Sequence, residues 1–455
     1  MKKRICLFLA LVMVLGLCAC AQKEEPPAPL EVGYSKVDIT PILGGGLDGY
    51  SDSSSRRATD VVEPIYATCI AVTQGEQTIL LFTIDTTSMA ADTAEMLRVE
   101  VTDHIDVPGE NVFFGGTHGH NCPSKDNAYK LQLRKAVAKA AQEAMDDRAV
   151  ATMLTAKPEF PGMNFVRHYE MSDGTYSGSN FGTFKADLVV GHAGENDPNG
   201  VLIQFDREGK KDILMVNWQA HPDSARQIGY TSICPSWIGP LRDTAEQLTG
   251  MHVAYFTGAS GNQNKDSKIA SEANGLTWQE YGEKMGQLIY EALPQLQPVD
   301  SNGIKTSRVI FDAEVDHSWD HMLAEANEVY GVWKTQGKKA GDALGKTYNF
   351  TSSYQARAIR SRANMGPTRP LQLNVFCIGD VGFTTGTYEM FSDSGLYVKR
   401  NSPFETTFII TGNSSYLPTE QAYDYRSYEA DTGYFARGTA EKLAVKYVEM
   451  LEGIR

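Results

Sequence analysis

Short apolar runs, often apolar throughout, alternate along the chain with segments whose apolar residues recur every three or four positions. The first kind reads as strand, at residues 66–72, 79–84, 112–115, 201–205, 213–218, 253–256, 309–315, 371–378 and 406–411. The second reads as helix, at 92–104, 131–146, 236–248, 278–292, 322–335 and 439–451. Leu133, Val137, Ala140 and Ala144 set the helical spacing in one of these, and Ala440, Ala444, Val448 and Leu451 repeat it in the last. Strands interleaved with helices predict an α/β fold. Runs apolar throughout, such as Ile79-Leu80-Leu81-Phe82, predict sheet covered on both faces. The expectation is a single large domain over residues 32–455, built of layered mixed sheets flanked by helices. Residues 51–59 and 172–198 read as long loops, rich in Gly, Ser and Asp. Loops of that length in a compact domain are commonly binding elements.

The first residues change the picture by setting a compartment. Lys2, Lys3 and Arg4 precede an apolar stretch from Ile5 to Leu17 that is too short to span a bilayer, so it reads as an export signal. It ends in Leu17-Cys18-Ala19-Cys20, which resembles a bacterial lipobox with Cys20 as the lipidated residue; the alternative is ordinary cleavage near Ala19 or Ala21. Residues 1–19 are therefore read as a lipoprotein signal. Residues 20–31, polar and Pro-rich, are read as the tether to an extracytoplasmic, lipid-anchored domain. The formal charge is −14, and the leader takes three cations and no anions with it. So acidic a chain excludes nucleic acid as a partner and offers anionic headgroups no attraction.

Of the seven cysteines, three belong to the signal, and Cys69, Cys122, Cys234 and Cys377 remain. None forms a CxxC pair, which argues against a cysteine-built zinc site. There is no GxSxG nucleophile elbow and no GxGxxG dinucleotide loop. The chemistry points instead to histidines. Val112-Phe113-Phe114-Gly115-Gly116-Thr117-His118-Gly119-His120 reads as a buried strand running into His-x-His, and extended residues two apart face the same side. Both imidazoles could then serve a metal or a reaction, or simply polarise a strand end. A second strand, from Ile213, runs into Ala220-His221-Pro222. His317 and His321 have the i, i+4 spacing of an HExxH pair, but Ser318, Trp319 and Asp320 lie between them and the required Glu is missing. They read as polar helix-start residues, and His104, His168, His192 and His252 as lone structural histidines.

The order of several segments resembles the catalytic domain of the neutral, non-lysosomal ceramidases. Val37-Asp38-Ile39-Thr40-Pro41 and Leu47-Asp48-Gly49-Tyr50 resemble that family's N-terminal signature, and Thr117-His118-Gly119-His120-Asn121-Cys122-Pro123 its Thr-His-Thr-His-Ser-Gly-Pro. Asn164 to Arg167, Ala220-His221-Pro222 and Gly386-Thr387-Tyr388-Glu389 fall where the family has its Asn/Arg segment, second zinc histidine and Pro-Gly-Glu. Tyr416-Leu417-Pro418-Thr419-Glu420-Gln421-Ala422-Tyr423, followed by Tyr428-Glu429, is similar in spacing to the family's closing motif. The resemblance implies Zn2+ held by His118, His221, Glu389 and Tyr416. It implies His120, Arg167 and Tyr428 around the substrate amide and its oxyanion, with His120 passing the proton to the leaving amine. The implied activity is hydrolysis of an amide or related acyl bond in a small-molecule or lipid N-acyl substrate.

Three departures accompany the resemblance. No segment corresponds to the family's C-terminal immunoglobulin-like domain. The serine of its Gly-Asp-x-Ser-Pro loop is replaced by Asn264, which moves the substrate-binding expectation to that residue and makes ceramide itself doubtful. Cys122 and Cys234 stand where the family tends to have Gly and Asp. In an oxidising compartment, and with His118 and His221 sharing a zinc, these two are expected close enough to bridge. Two rival classes remain open: another metal hydrolase such as an amidohydrolase barrel, and a substrate-binding lipoprotein without catalysis.

Overall fold

The computed structural model of the protein describes residues 27–50, 56–412 and 414–455. The expected signal, the Cys20 anchor and most of the tether lie outside the described residues, as do residues 51–55 of the first long loop.

A large mixed sheet is built from β1 (Leu30–Asp38), β2 (Tyr66–Gln74), β3 (Gln77–Ile84), β4 (Val112–Gly116), β5 (Ala149–Ala156), β6 (Val201–Arg207), β7 (Ile213–Trp218) and β8 (His252–Thr257). Their spatial order is β8-β7-β6-β5-β1-β2-β3-β4. The inner neighbours are antiparallel, while β3 with β4 and β7 with β8 are parallel. A second sheet runs β9 (Ile304–Glu314), β10 (Thr368–Ile378), β11 (Val381–Gly386) and β12 (Thr406–Thr411), and its last pair is also parallel.

The two sheets bury one apolar layer between them, in which Phe113, Phe256, Phe376, Phe383 and Phe408 meet. Phe376 stacks between Phe113 and Phe383 at 4.4 Å from each ring centroid. Helices close the outer faces. On the large sheet lie α1 (Ala91–Thr102) and α2 (Asn127–Asp146) over one half, and α3 (Ile238–Thr249) and α4 (Trp278–Ala292) over the other. Between β9 and β10 the chain makes a helical excursion with its own small core, comprising α5 (Leu323–Gln336), α6 (Lys338–Thr347) and α7 (Ser353–Arg362). On the second sheet lie α8 (Ser392–Asn401) and α9 (Thr439–Glu452). The layered α/β architecture is the expected one, and its strands need apolar residues on both faces because each sheet is covered twice.

Most expected elements form within a few residues of their predicted bounds. The pattern misses β1, β5 and β11, the excursion helices α6 and α7, and α8. β1 begins inside the expected tether at Leu30, where Leu30, Val32 and Tyr34 are buried against the interlayer core. β5 is half-exposed along most of its length, and β11 is Gly- and Thr-rich, so neither carries a continuous apolar signal.

What this topology positions is the carboxyl ends of its parallel strands, which is where open α/β sheets place their ligands. Side-chain hydrogen bonds tie these ends together across the layers. Thr257 Oγ1 donates to the Thr117 carbonyl at 3.0 Å, and Thr411 Oγ1 to the Thr257 and Gly258 carbonyls at 3.1 Å each. Asn217 Nδ2 donates to the Phe256 and Ile409 carbonyls at 2.9 and 2.8 Å. The loops leaving β4, β7, β8, β11 and β12 therefore emerge beside one another.

Candidate metal centre

Those loops carry His118, His120, His221 and Glu389 to one point. His118 Nε2 lies 3.1 Å from His221 Nε2 and 3.3 Å from His120 Nε2, and the last two are 3.1 Å apart. Glu389 Oε2 is 3.3 Å from His118 Nε2. It is buried and has no hydrogen-bond partner among the described residues. A tetrahedral ion with bonds of about 2.0–2.1 Å separates its ligand atoms by about 3.3 Å. The three imidazole nitrogens therefore fit a divalent metal ion by spacing and by donor type, with the orphaned carboxylate oxygen beside His118.

The histidine pair does not converge for the reason its spacing suggests. β4 ends at Gly116, so strand alternation does not govern residues 118 and 120. Instead His118 adopts the left-handed region, with φ +68°, a conformation that costs a non-glycine residue about 1–3 kcal/mol. Two hydrogen bonds hold it there: its backbone N–H donates to the Thr86 carbonyl at 2.9 Å, and its Nδ1 to the Thr87 carbonyl at 2.6 Å. The second fixes the tautomer, leaving the Nε2 lone pair aimed at the centre. His221 follows β7, and its Nδ1 faces the Ser260 carbonyl at 3.5 Å. His120 differs, because its Nδ1 is buried with no hydrogen-bond partner among the described residues. Burial lowers the pKa of His120 to about 4, with the Asp223 charge opposing, and burial also lowers that of His221. Neutral imidazoles are the form in which histidine binds a metal.

Glu389 and Tyr416 begin a short parallel ladder, Glu389–Met390 with Tyr416–Leu417. Close approach fixes that ladder against the loop after β8: the Gly261 N–H donates to the Met390 carbonyl at 2.8 Å, and a Cβ on Gly261 would lie 2.7 Å from the Glu389 carbonyl oxygen. Tyr416 Oη accepts from Arg167 Nη2 at 3.2 Å. Arg167 Nε and Nη2 both donate to Glu429 Oε1, at 2.9 and 2.5 Å, while its Nη1 donates to no described residue. Burial alone would lower the Arg167 pKa, but the Glu429 charge and Tyr416 raise it, so the guanidinium stays charged. Tyr428 opens the short helix Tyr428–Thr432, with its ring 5.9 Å from that of Tyr416 and 5.6 Å from that of Tyr354. Burial pushes its hydroxyl up to about 12. Asn264 sits next to the centre through its backbone, paired with His221 on one side and Phe165 on the other.

The structure brings His118, His120 and His221 together with Glu389 beside His118, ties Arg167 to Tyr416, sets Tyr428 against Tyr416, and places Asn264 beside His221 through the backbone. The expected Cys122–Cys234 bridge does not form. The loops do run side by side, with Asn121 and Cys234 in an antiparallel bridge and the Cys234 N–H donating to the Asn121 carbonyl at 3.2 Å, but both thiols are free and buried. The register explains this, because Cys234 is opposite Asn121 and not opposite Cys122. His317 is tied to Asp320 at the start of a 3-10 turn, consistent with a polar helix-start role.

Three residues at the site were not anticipated. Glu429 is fully buried and holds Arg167, and His168, read as a lone histidine, donates to its other oxygen. Asp223, two residues past His221, accepts from Tyr50 Oη, and the Tyr50 ring packs edge-on to His120 at 5.6 Å. The motif pair Tyr428-Glu429 was the available signal for the first; nothing local marks the other two.

No family sequence model matches the chain, and no curated protein matches it in sequence. In three dimensions it is similar to the neutral ceramidase from Pseudomonas aeruginosa, with TM-score 0.71 and 13% identity, covering 94% of this chain and 75% of that one. It is also similar to a ceramidase complexed with C2, with TM-score 0.68 and 13% identity, covering 94% and 76%. What is shared at that identity is the course of the backbone: this chain has the fold of the neutral ceramidases.

Proposed function

We propose that the protein is an exported, lipid-anchored hydrolase that cleaves the amide bond of an N-acyl substrate with a zinc ion bound at the centre described above. One observation carries the reading: three imidazole Nε2 atoms 3.1–3.3 Å apart, with the unpartnered Glu389 oxygen beside them, at the joined ends of parallel strands. The neutral-ceramidase fold supports the same reading.

Of the three histidines that meet, His118 and His221 are assigned as ligands, with Glu389 and its ladder partner Tyr416 completing the set. Zinc-bound histidines have their second nitrogen tied to a carbonyl or carboxylate. His118 and His221 have such a carbonyl in place, and His120 does not. His120 is therefore the proton carrier, placed to take a proton at Nε2 and deliver it to the leaving amine. Zinc in such a site supplies hydroxide at neutral pH and polarises the carbonyl. Arg167 offers its uncommitted Nη1, and Tyr428 its hydroxyl, to the oxygen on which negative charge develops. Asn264 faces the substrate where the ceramidases' loop has serine, so the group beyond the amide differs from that of ceramide. Cys20 would hold the domain at the membrane, within reach of N-acyl lipids.

Metal analysis of the purified protein, followed by a screen of N-acyl lipids, ceramides and N-acyl amino acids with and without a chelator, tests the reading. One zinc per chain and chelator-sensitive release of a fatty acid are expected. Zinc without hydrolysis of any N-acyl compound would favour a binding lipoprotein, and absence of metal would overturn the centre itself.

A further inference from the structure

Behind Arg167, away from the three histidines, lies a hydrogen-bonded chain that the proposed reaction does not use directly. Glu429 is 0% exposed. One of its oxygens receives Arg167 Nε and Nη2; the other receives His168 Nε2 at 2.9 Å. His168 is also 0% exposed, and its Nδ1 lies 2.7 Å from Tyr425 Oη. The carboxylate only accepts, so His168 donates to it from Nε2. In the neutral imidazole Nδ1 then accepts from the Tyr425 hydroxyl. Tyr425 stands at the outer end, its ring stacked on Tyr176 at 4.5 Å, and both line a surface cavity of about 380 Å³.

A carboxylate gripped through one oxygen can pivot about that contact; gripped through both, it cannot. Arg167 uses two of its three nitrogens on Glu429 and Tyr416, so the heading of its free Nη1 follows from the plane of the Glu429 carboxylate. Resting on the hydrolase reading above, we propose that His168 is a positioning residue: by fixing Glu429 through its second oxygen, with Tyr425 orienting the ring, it aims Arg167 Nη1 at the developing oxyanion. A donor that is prepositioned contributes to the barrier more than to ground-state binding, so the effect belongs in kcat.

The test compares His168→Ala, His168→Gln and Tyr425→Phe in the full chain, with kcat and KM on the best N-acyl substrate, zinc content, and crystal structures of wild type and variants. His168→Ala is expected to lower kcat about tenfold to a hundredfold with KM within about twofold and zinc unchanged. His168→Gln, which can still donate to Glu429, should recover most of the loss. Tyr425→Phe, which leaves the buried pair intact and guards against a His168→Ala protein that does not fold, should lower kcat severalfold. In the crystal structure of the His168→Ala protein, Arg167 should turn away from Tyr416. Unchanged kcat in an active enzyme, or an Arg167–Glu429–Tyr416 geometry that survives loss of His168, overturns the proposal. Wild-type protein that hydrolyses nothing defeats the hydrolase reading instead, and the crystal structures still decide whether His168 positions Arg167.

Discussion

Glu389 and Tyr416 are register partners in a two-residue parallel ladder, although α8 and β12 separate them in sequence. The ladder is tied at both sides: the Glu389 N–H donates to the Ser415 carbonyl at 2.7 Å, and the Gly261 N–H to the Met390 carbonyl at 2.8 Å. Two of the four proposed ligands therefore move as one piece, and that piece rests on a glycine.

Gly261→Ala should loosen it. The added methyl would sit 2.7 Å from the Glu389 carbonyl oxygen and 2.9 Å from that of Met390, too close for either to stay put. The expected cost is about 1–3 kcal/mol in metal-free stability, with a smaller rise in Tm on adding zinc than wild type shows. Calorimetry of both proteins, with and without zinc, measures each part. An unchanged zinc-induced rise would mean that the centre does not depend on Glu389.

His118→Ala and His120→Ala should separate ligand from proton carrier. Loss of His118 removes a ligand and the bound zinc with it. Loss of His120 should leave about one zinc per chain and lower kcat by roughly a hundredfold or more, because the residue acts on the barrier and not on affinity. Equal loss of zinc from both proteins would make His120 a third histidine ligand.

How much of this was legible in the sequence depended on the range of the interaction. Strands with continuous apolar runs, such as 79–82 and 253–256, were readable because burial on both faces demands that pattern locally. β11, at the middle of the second sheet, was not, since Gly382, Thr384, Thr385 and Gly386 pack there without an apolar signature. The histidines at 118 and 221 stood out because each follows a buried strand, but the strand geometry invoked for 118 and 120 was replaced by a left-handed turn. His168 and Asp223 matter only through partners far away in sequence, Glu429 and Tyr50, and no local pattern encodes such a contact.

The Glu429 carboxylate should make stability acid-sensitive. Burial alone would raise its pKa, yet His168 and Arg167 overcome that and hold it at about 2, below its ordinary value of 4.5. A folded-state pKa below the unfolded one gives stabilisation that is complete above about pH 4.5 and is lost as pH falls toward 2. Glu429→Gln should be less stable at pH 7 by about 3–5 kcal/mol, because Arg167 is left buried without its counter-ion. Its stability should also fall less steeply than that of wild type between pH 4.5 and 2. Urea unfolding over a pH series reads both, and parallel curves for the two proteins would contradict the assignment.

The free thiols yield the last prediction. Cys122 and Cys234 lie on loops beside the centre in a compartment expected to permit oxidation, and each is completely buried. Burial raises both thiol pKa values, with nearby Asp85 acting in the same direction on both. Thiolate is the reacting species in disulfide exchange and in alkylation, so neither residue should react in the folded protein. Cys234 also faces Asn121 across the bridge between the loops, which places the backbone of Cys122 one residue out of register. Mass mapping of a non-reduced digest should find no Cys122–Cys234 cross-link, and alkylation should reach both thiols only after denaturation. Because no bond is lost, Cys122→Ala and Cys234→Ala should each cost only what a small buried side chain contributes, roughly 1–3 kcal/mol, with zinc content unchanged. A cross-linked peptide from folded protein, or a much larger loss of stability in both variants, would show that the two loops close further than the structure has them.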